Sequence, residues 1–324
     1  MVMSELLKSI DARTKLAGTN KLEILMFTLG TDARNGRRET FGINVFKVRE
    51  VMRTPPITAA PEMPAAVEGM VSLRGALVPV VDLAKYAGVQ TETPRDIMIV
   101  TEYNGHTQGF LVEAVDTILR LDWGMMRVPP EMLVAQMGGL VTAVTELGDG
   151  RLVMMMDVEK VLSETTKYDD EFMYRSIVPI DKPECTVFFA DDSVVARKQI
   201  ERTLQAMNVK YVASINGRQA WDELEKVAAY ASSLGKPVSS FVSLVLTDIE
   251  MPEMDGYILT KKVKSDPRFA GIPVIMHSSL SGMSNQKLGL SVGVDEYVPK
   301  FEPQKLSETL ARRMGATLPA AAEA

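Results

Sequence analysis

One short run limits the fold more than any other. Phe241-Val242-Ser243-Leu244-Val245-Leu246 is apolar but for one serine, and it is of strand length. Such a run reads as a strand buried on both faces of a parallel sheet. Thr247-Asp248 follow, so Asp248 is expected at the carboxyl end of a central strand, where open α/β sheets place their sites. Two other apolar runs also stop at polar groups, and a third run of mixed character leads to one. Thr186 to Ala190 stops at Asp191-Asp192, Ile272 to Met276 at His277-Ser278-Ser279, and Val294 to Val298 leads to Lys300. A helical pattern lies between the first two runs, through Val195, Gln199, Ile200, Leu204 and Met207. The order β-α-β-α-β predicts a doubly wound parallel sheet. Its carboxyl edge would gather Asp191, Asp192, Asp248, Ser278 and Lys300.

That set, within about residues 184–314, resembles the receiver domain of bacterial two-component signalling, the CheY type, which implies a five-stranded sheet. The resemblance makes Asp248 the phosphoacceptor and Asp191, Asp192 and Asp248 the ligands of Mg²⁺, with the backbone carbonyl of Glu250. Ser278, five positions after Pro273, and Tyr297, three before Lys300, match the switch residues. Ser278 and Lys300 also match the groups that assist phosphoryl transfer.

The chemistry agrees with the pattern. A carboxylate that attacks a phosphoryl group approaches an anion, and a hard cation bound by oxygens offsets the repulsion. Lys300 is a mobile point charge for one phosphoryl oxygen, and the Ser278 hydroxyl can donate to another. Taken singly, each residue has a plainer role. Asp191-Asp192-Ser193 could cap a helix, Asp248 could open a turn before Pro252, Ser278 could cap a helix, and Lys300 could be a solvated lysine. Two features depart from the family pattern. Lys300 is followed by Phe301 where the family has proline, and a cis bond there would cost about 3 kcal/mol or more. Glu250, two residues past Asp248, adds a carboxylate near the phosphoryl group or the metal.

Length and composition bound the rest. A chain of 324 residues suits two domains. Net charge is −6 with both signs interspersed, so no basic stripe points to nucleic acid. Cys185 is the one cysteine and excludes an internal disulfide framework, which fits a reducing compartment. With only His106 and His277 besides, a Cys/His zinc cluster is excluded. His277 reads as structural or peripheral to the pocket. The N-terminus lacks a signal-peptide core, and residues 4–17 read as a short amphipathic helix packing on the first domain. The longest apolar stretch, Met70 to Ala84, is broken by Arg74, Gly75 and Pro79, so no direct membrane insertion is expected.

The N-terminal half has short β-like runs between close turn signals. Strands are expected over 22–29, 40–44, 70–73, 76–82, 97–103, 106–112, 115–120, 140–147 and 151–157. Asn104-Gly105 and Asp149-Gly150 are hairpin signals. Helices are expected only over 45–51, 64–68 and 158–163. The pattern predicts a barrel or a pair of small barrels. No nucleophile–base pair or glycine-rich phosphate loop occurs there, which favours a binding module over an enzyme. The 21 methionines, densest at Met154-Met155-Met156, are expected to fill core gaps.

Phe41-Gly42-Ile43-Asn44-Val45-Phe46-Lys47-Val48-Arg49-Glu50-Val51 and Gly69-Met70-Val71-Ser72-Leu73-Arg74-Gly75-Ala76-Leu77-Val78-Pro79-Val80-Val81-Asp82-Leu83 resemble the chemotaxis coupling proteins of the CheW type. That resemblance implies an all-β double barrel over 20–163 that bridges chemoreceptor tips and the histidine kinase CheA. It makes Val48, Glu50 and Arg74 receptor-facing. A CheW-like domain followed by a receiver is the arrangement of the CheV family, which residues 9–23 also resemble. The expected organisation is then a coupling domain over 20–163, a polar linker over 164–183, a receiver over 184–314 and a disordered tail over 315–324. The expected function is a cytoplasmic adaptor at receptor arrays, not an enzyme beyond its own aspartyl phosphorylation. Three alternatives stand beside it. The receiver could act chiefly as a phosphate sink for CheA. A transcriptional regulator lacks its helix-turn-helix. A haloacid-dehalogenase-type phosphatase wants Asp where Glu250 stands.

Overall fold

A computed structural model describes residues 21–59, 61–103, 106–165, 174–278 and 291–316. The proposed helix over 4–17, the Asn104-Gly105 turn and residues 317–324 of the tail lie outside them. The chain divides into two compact units, Met1–Lys167 and Tyr168–Ala324.

The first unit contains strands β1 (Lys21–Thr28), β2 (Thr40–Asn44), β3 (Val48–Arg53), β4 (Val67–Leu73) and β5 (Ala76–Asp82), then helix α1 (Leu83–Tyr86). Strands β6 (Ile97–Tyr103), β7 (His106–Val112) and β8 (Ala114–Asp122) follow, then α2 (Glu131–Gln136), β9 (Val141–Glu146), β10 (Leu152–Met156) and α3 (Val158–Thr165). They form two five-stranded sheets, β8-β1-β2-β10-β9 and β3-β6-β7-β5-β4. Side-chain alternation explains why these strands read as nearly continuous apolar runs. Along β1, Leu22, Ile24 and Met26 enter a cluster within the first sheet, while Leu25 and Phe27 enter a second cluster that both sheets share. In β6, Met98 and Val100 enter a cluster of the second sheet, and Ile99 faces the shared one. The Met154-Met155-Met156 run is buried on both faces of β10, as expected of gap-filling methionines.

Two expected helices are absent. Val45 to Val51 forms one 3-10 turn, Val45–Lys47, capped by Asn44, and then β3. The β-branched residues at 45, 48 and 51 have a helix-like spacing, but they pack better on a pleated surface. Residues 64–68 make a turn closed by the Val67 N–H on the Pro64 carbonyl, and β4 begins at Val67. The short helices α1 and α2 were not anticipated. Asp82 caps α1 by accepting from the Lys85 N–H.

The second unit comprises β11 (Thr186–Ala190), α4 (Val194–Ala206), β12 (Lys210–Ser214), α5 (Gly217–Ser233), β13 (Leu244–Thr247), α6 (Gly256–Ser265), β14 (Val274–Ser278), β15 (Glu296–Pro299) and α7 (Pro303–Arg313). Its sheet is parallel throughout, in the order β12-β11-β13-β14-β15. β13 is central, as the apolar run predicted, but the strand covers only Leu244–Thr247, and a 3-10 turn at Val238–Ser240 precedes the run. Both faces are covered. Val187, Phe189, Leu244 and Leu246 pack toward α4 and α7, while Phe188, Ala190 and Val245 pack toward α5 and α6. Cys185 is buried beside the first of these layers. Part of the span expected to be linker is described. α3 runs to Thr165, residues 166–173 lie outside the described ones, and Ile177 and Ile180 are buried in the receiver core. No helix among the described residues is long and apolar enough to cross a membrane.

Candidate functional site

The parallel sheet delivers its strand ends to one edge. β11 stops before Asp191 and Asp192, β13 stops before Asp248, β14 ends on Ser278, and Lys300 follows β15. The structure brings the acidic residues and the lysine together. Lys300 Nζ lies 2.9 Å from Asp248 Oδ2 and 3.0 Å from Asp191 Oδ2. Asp191 and Lys300 are completely shielded from solvent, and Asp248 and Ser278 nearly so. Lys300 is therefore not a solvated surface lysine. Asp191-Asp192-Ser193 also performs the plainer role, because Ser193 caps α4 by accepting from the Ala196 N–H.

The site is held by backbone contacts as much as by side chains. Asp191 Oδ1 accepts from the Ser193 N–H at 2.9 Å, and Asp248 Oδ1 accepts from the Ile249 N–H at 2.7 Å. Arg197 Nη1 donates to the carbonyls of both Asp191 (2.8 Å) and Asp192 (2.9 Å). That arginine fixes the loop carrying the acidic pair, and it was not singled out from sequence. Its target is backbone, which leaves no complementary residue type to notice. At Gly256 the first turn of α6 presses on the Asp248 backbone, since an added Cβ would sit 2.0 Å from the Asp248 carbonyl oxygen. Asp255 caps α6, and burial pushes its carboxyl up to about 6 against the N–H groups of Ile258 and Tyr257.

The donor set fits a hard divalent cation. Asp191, Asp192 and Asp248 each offer a carboxylate oxygen, all within 4.8 Å of one another. Neighbouring oxygens on an octahedral Mg²⁺ stand about 2.9 Å apart, so the three would have to draw inward to bind one ion. Three carboxylates face one ammonium at this edge, which leaves negative charge to be offset. Glu250 is half-buried in the loop after Asp248.

Lys300 leads into Phe301, which holds a positive φ of 62°, and no cis bond occurs among the described residues. Tyr297 pairs in register with Met276, two residues before Ser278 along β14. It packs with Ile249, Tyr257, Met276 and Val294. The Tyr257 hydroxyl is pushed well above the usual phenol range, first by burial and then by its hydrogen bond and proximity to Tyr297. Tyr257, in the first turn of α6, is a buried member of this cluster, as a core tyrosine would be.

In the first unit, Arg74 and Glu50 form an ion pair at 2.9 Å, with Arg74 mostly exposed. Val48 is different. It is 2% exposed and belongs to the shared core. At the start of β3 it faces inward, unlike the exposed Arg74.

Comparison with known proteins matches the CheW-like domain over residues 23–166 and the response regulator receiver domain over residues 187–311. Chemotaxis protein CheV1 of Helicobacter pylori is 27% identical over 95% of this chain and 98% of its own length. The chain belongs to the CheV family. Each half of this CheV-type protein also has separate relatives. Chemotaxis protein CheW of Klebsiella aerogenes is 33% identical across 46% of the chain and 87% of its own length. Chemotaxis protein CheY1 of Helicobacter pylori is 35% identical across 37% of the chain and 89% of its own length. The protein is thus a chemotaxis coupling adaptor that carries a receiver domain.

Proposed function

We propose that this CheV-type protein couples chemoreceptor cytoplasmic tips to the histidine kinase CheA, and that phosphorylation of Asp248 tunes the coupling. It acts at receptor arrays through these partners. The observation that carries the reading is the buried contact of Lys300 with both Asp248 and Asp191 at the carboxyl edge of the sheet. Asp191, Asp192, Asp248 and the Glu250 carbonyl would hold Mg²⁺, which when bound supplies charge neutralisation to the incoming phosphoryl oxygens.

An Asp248 carboxylate oxygen attacks the phosphorus of a CheA phosphohistidine. The P–O bond forms as the P–N bond breaks, and the departing imidazole nitrogen takes up a proton. Lys300 turns its ammonium to a phosphoryl oxygen, and the Ser278 hydroxyl donates to another. Arg197 keeps the acidic loop in place throughout. Receptor contact falls to the exposed Arg74–Glu50 pair. The protein performs no turnover beyond modification of its own aspartate.

The test is reconstitution of receptor arrays with CheA and either wild type or Asp248→Asn. The variant should take no label from CheA and should lose the phosphorylation-dependent change in kinase output. Full labelling of Asp248→Asn would overturn the site. Unchanged coupling combined with slower phosphate removal from CheA would favour the phosphate-sink reading.

A further inference from the structure

Residues 174–182 lead toward β11 from the barrel half of the sequence, and they are fastened to the receiver. The Arg202 guanidinium lies 4.2 Å from the centre of the Tyr174 ring. Ile177 and Ile180 are buried with Leu204 and Met207 at α4 and with Leu306 and Leu310 of α7. The Ile180 N–H donates to the Met207 carbonyl, and Lys182 Nζ donates to the Met314 carbonyl, each at 2.9 Å. The segment is a strap across α4 and α7.

One end of the strap shares a groove with the residue that follows Lys300. Ser176 and Phe301 line one open groove with the first turns of α7. Phe301 directly follows Lys300 and holds a φ of 62°, a sparsely populated conformation for a bulky residue. We infer that phosphorylation of Asp248 is passed through Lys300 and Phe301 to this strap, loosening its Tyr174–Ile177 end. The inference rests on the reading of Asp248 as phosphoacceptor.

A phosphoryl group on Asp248 places new anionic oxygens before Lys300, whose ammonium now bridges Asp248 and Asp191. The Lys300 side chain is enclosed on all sides, so a turn of its head is passed to neighbours and backbone rather than absorbed in solvent. The next backbone unit is Phe301, already off the common minima. Moving it takes away one wall of the groove beside Ser176. The Ile180–Lys182 end keeps its buried isoleucine and both hydrogen bonds. Because the strap is the chain's own path to the CheW-like domain, the signal leaves the receiver through covalent structure.

Hydrogen exchange of the full chain, with Mg²⁺ and acetyl phosphate, tests this directly, and intact mass reports phosphoryl uptake. Exchange in 174–177 should quicken about threefold or more on uptake, while β11 stays unchanged. Phe301→Ala should still take up the phosphoryl group but lose the strap response. Uptake without a strap response in wild type overturns this inference alone, and no uptake overturns the phosphoacceptor reading with it. A response that survives Phe301→Ala, or one that disappears in Tyr297→Ala with uptake retained, also overturns it.

Discussion

Arg74 and Gly75 are the two central residues of the β4–β5 hairpin, with φ of 51° and 86°. Positive φ at both positions is the type I′ geometry that Asn-Gly usually supplies, so an arginine in the first place is strained by about 1 kcal/mol or more. The guanidinium is largely exposed and paired with Glu50. Arg74→Gly should therefore leave the coupling domain as stable or slightly more stable in urea, yet bind receptor tips more weakly. Undiminished affinity would remove Arg74 from the contact. Asp255 is a second strained choice. Its folded pKa, raised to about 6 by burial, exceeds the ordinary 3.8, so the fold favours the protonated form. Its contribution is present below pH 3.8 and is lost as pH rises through 6. Asp255→Asn retains a capping oxygen without the charge. The variant should gain on wild type between pH 4 and 7, by at most about 3 kcal/mol. Parallel stability curves across that range would contradict the assignment.

Among the elements, β11, β13 and β14 were legible because each is almost wholly apolar and stops at a charged or hydroxyl residue, whereas β15 carries Glu296 and was placed by its lead into Lys300. The acidic pair, Asp248, Ser278 and Lys300 followed from those stops. Residues 45–51 were not legible, since valines three apart serve one helical face as well as a bulged strand, and only tertiary packing chooses. α1 and α2 are too short to show a period. The approach of α6 to Asp248 was equally hidden, although Gly256 records it. An alanine Cβ there would meet the Asp248 carbonyl, so backbone must shift. Gly256→Ala should cost about 1–3 kcal/mol and slow phosphoryl uptake at Asp248. Normal uptake kinetics in a variant of undiminished stability would show that α6 yields without disturbing the site.

For the molecule as a whole, the polar, proline-bearing connector concealed a packed segment. Ile177 and Ile180 are too few to form a pattern, and their burial depends on helices that lie far away in sequence. Ile180→Ala in the full chain should destabilise the receiver by about 2–4 kcal/mol through the cavity it leaves. Calorimetry should show the receiver transition lowered and the coupling-domain transition unmoved. A receiver transition unchanged by the substitution would mean that the strap adds no stability.

Cys185 lies in the same layer as those isoleucines, 6% exposed, with its N–H on the Lys182 carbonyl. As the chain's one thiol, it is a built-in chemical clock. A thiol-specific reagent reaches it only when the layer beneath the strap opens, so the labelling rate counts those openings in unmodified protein.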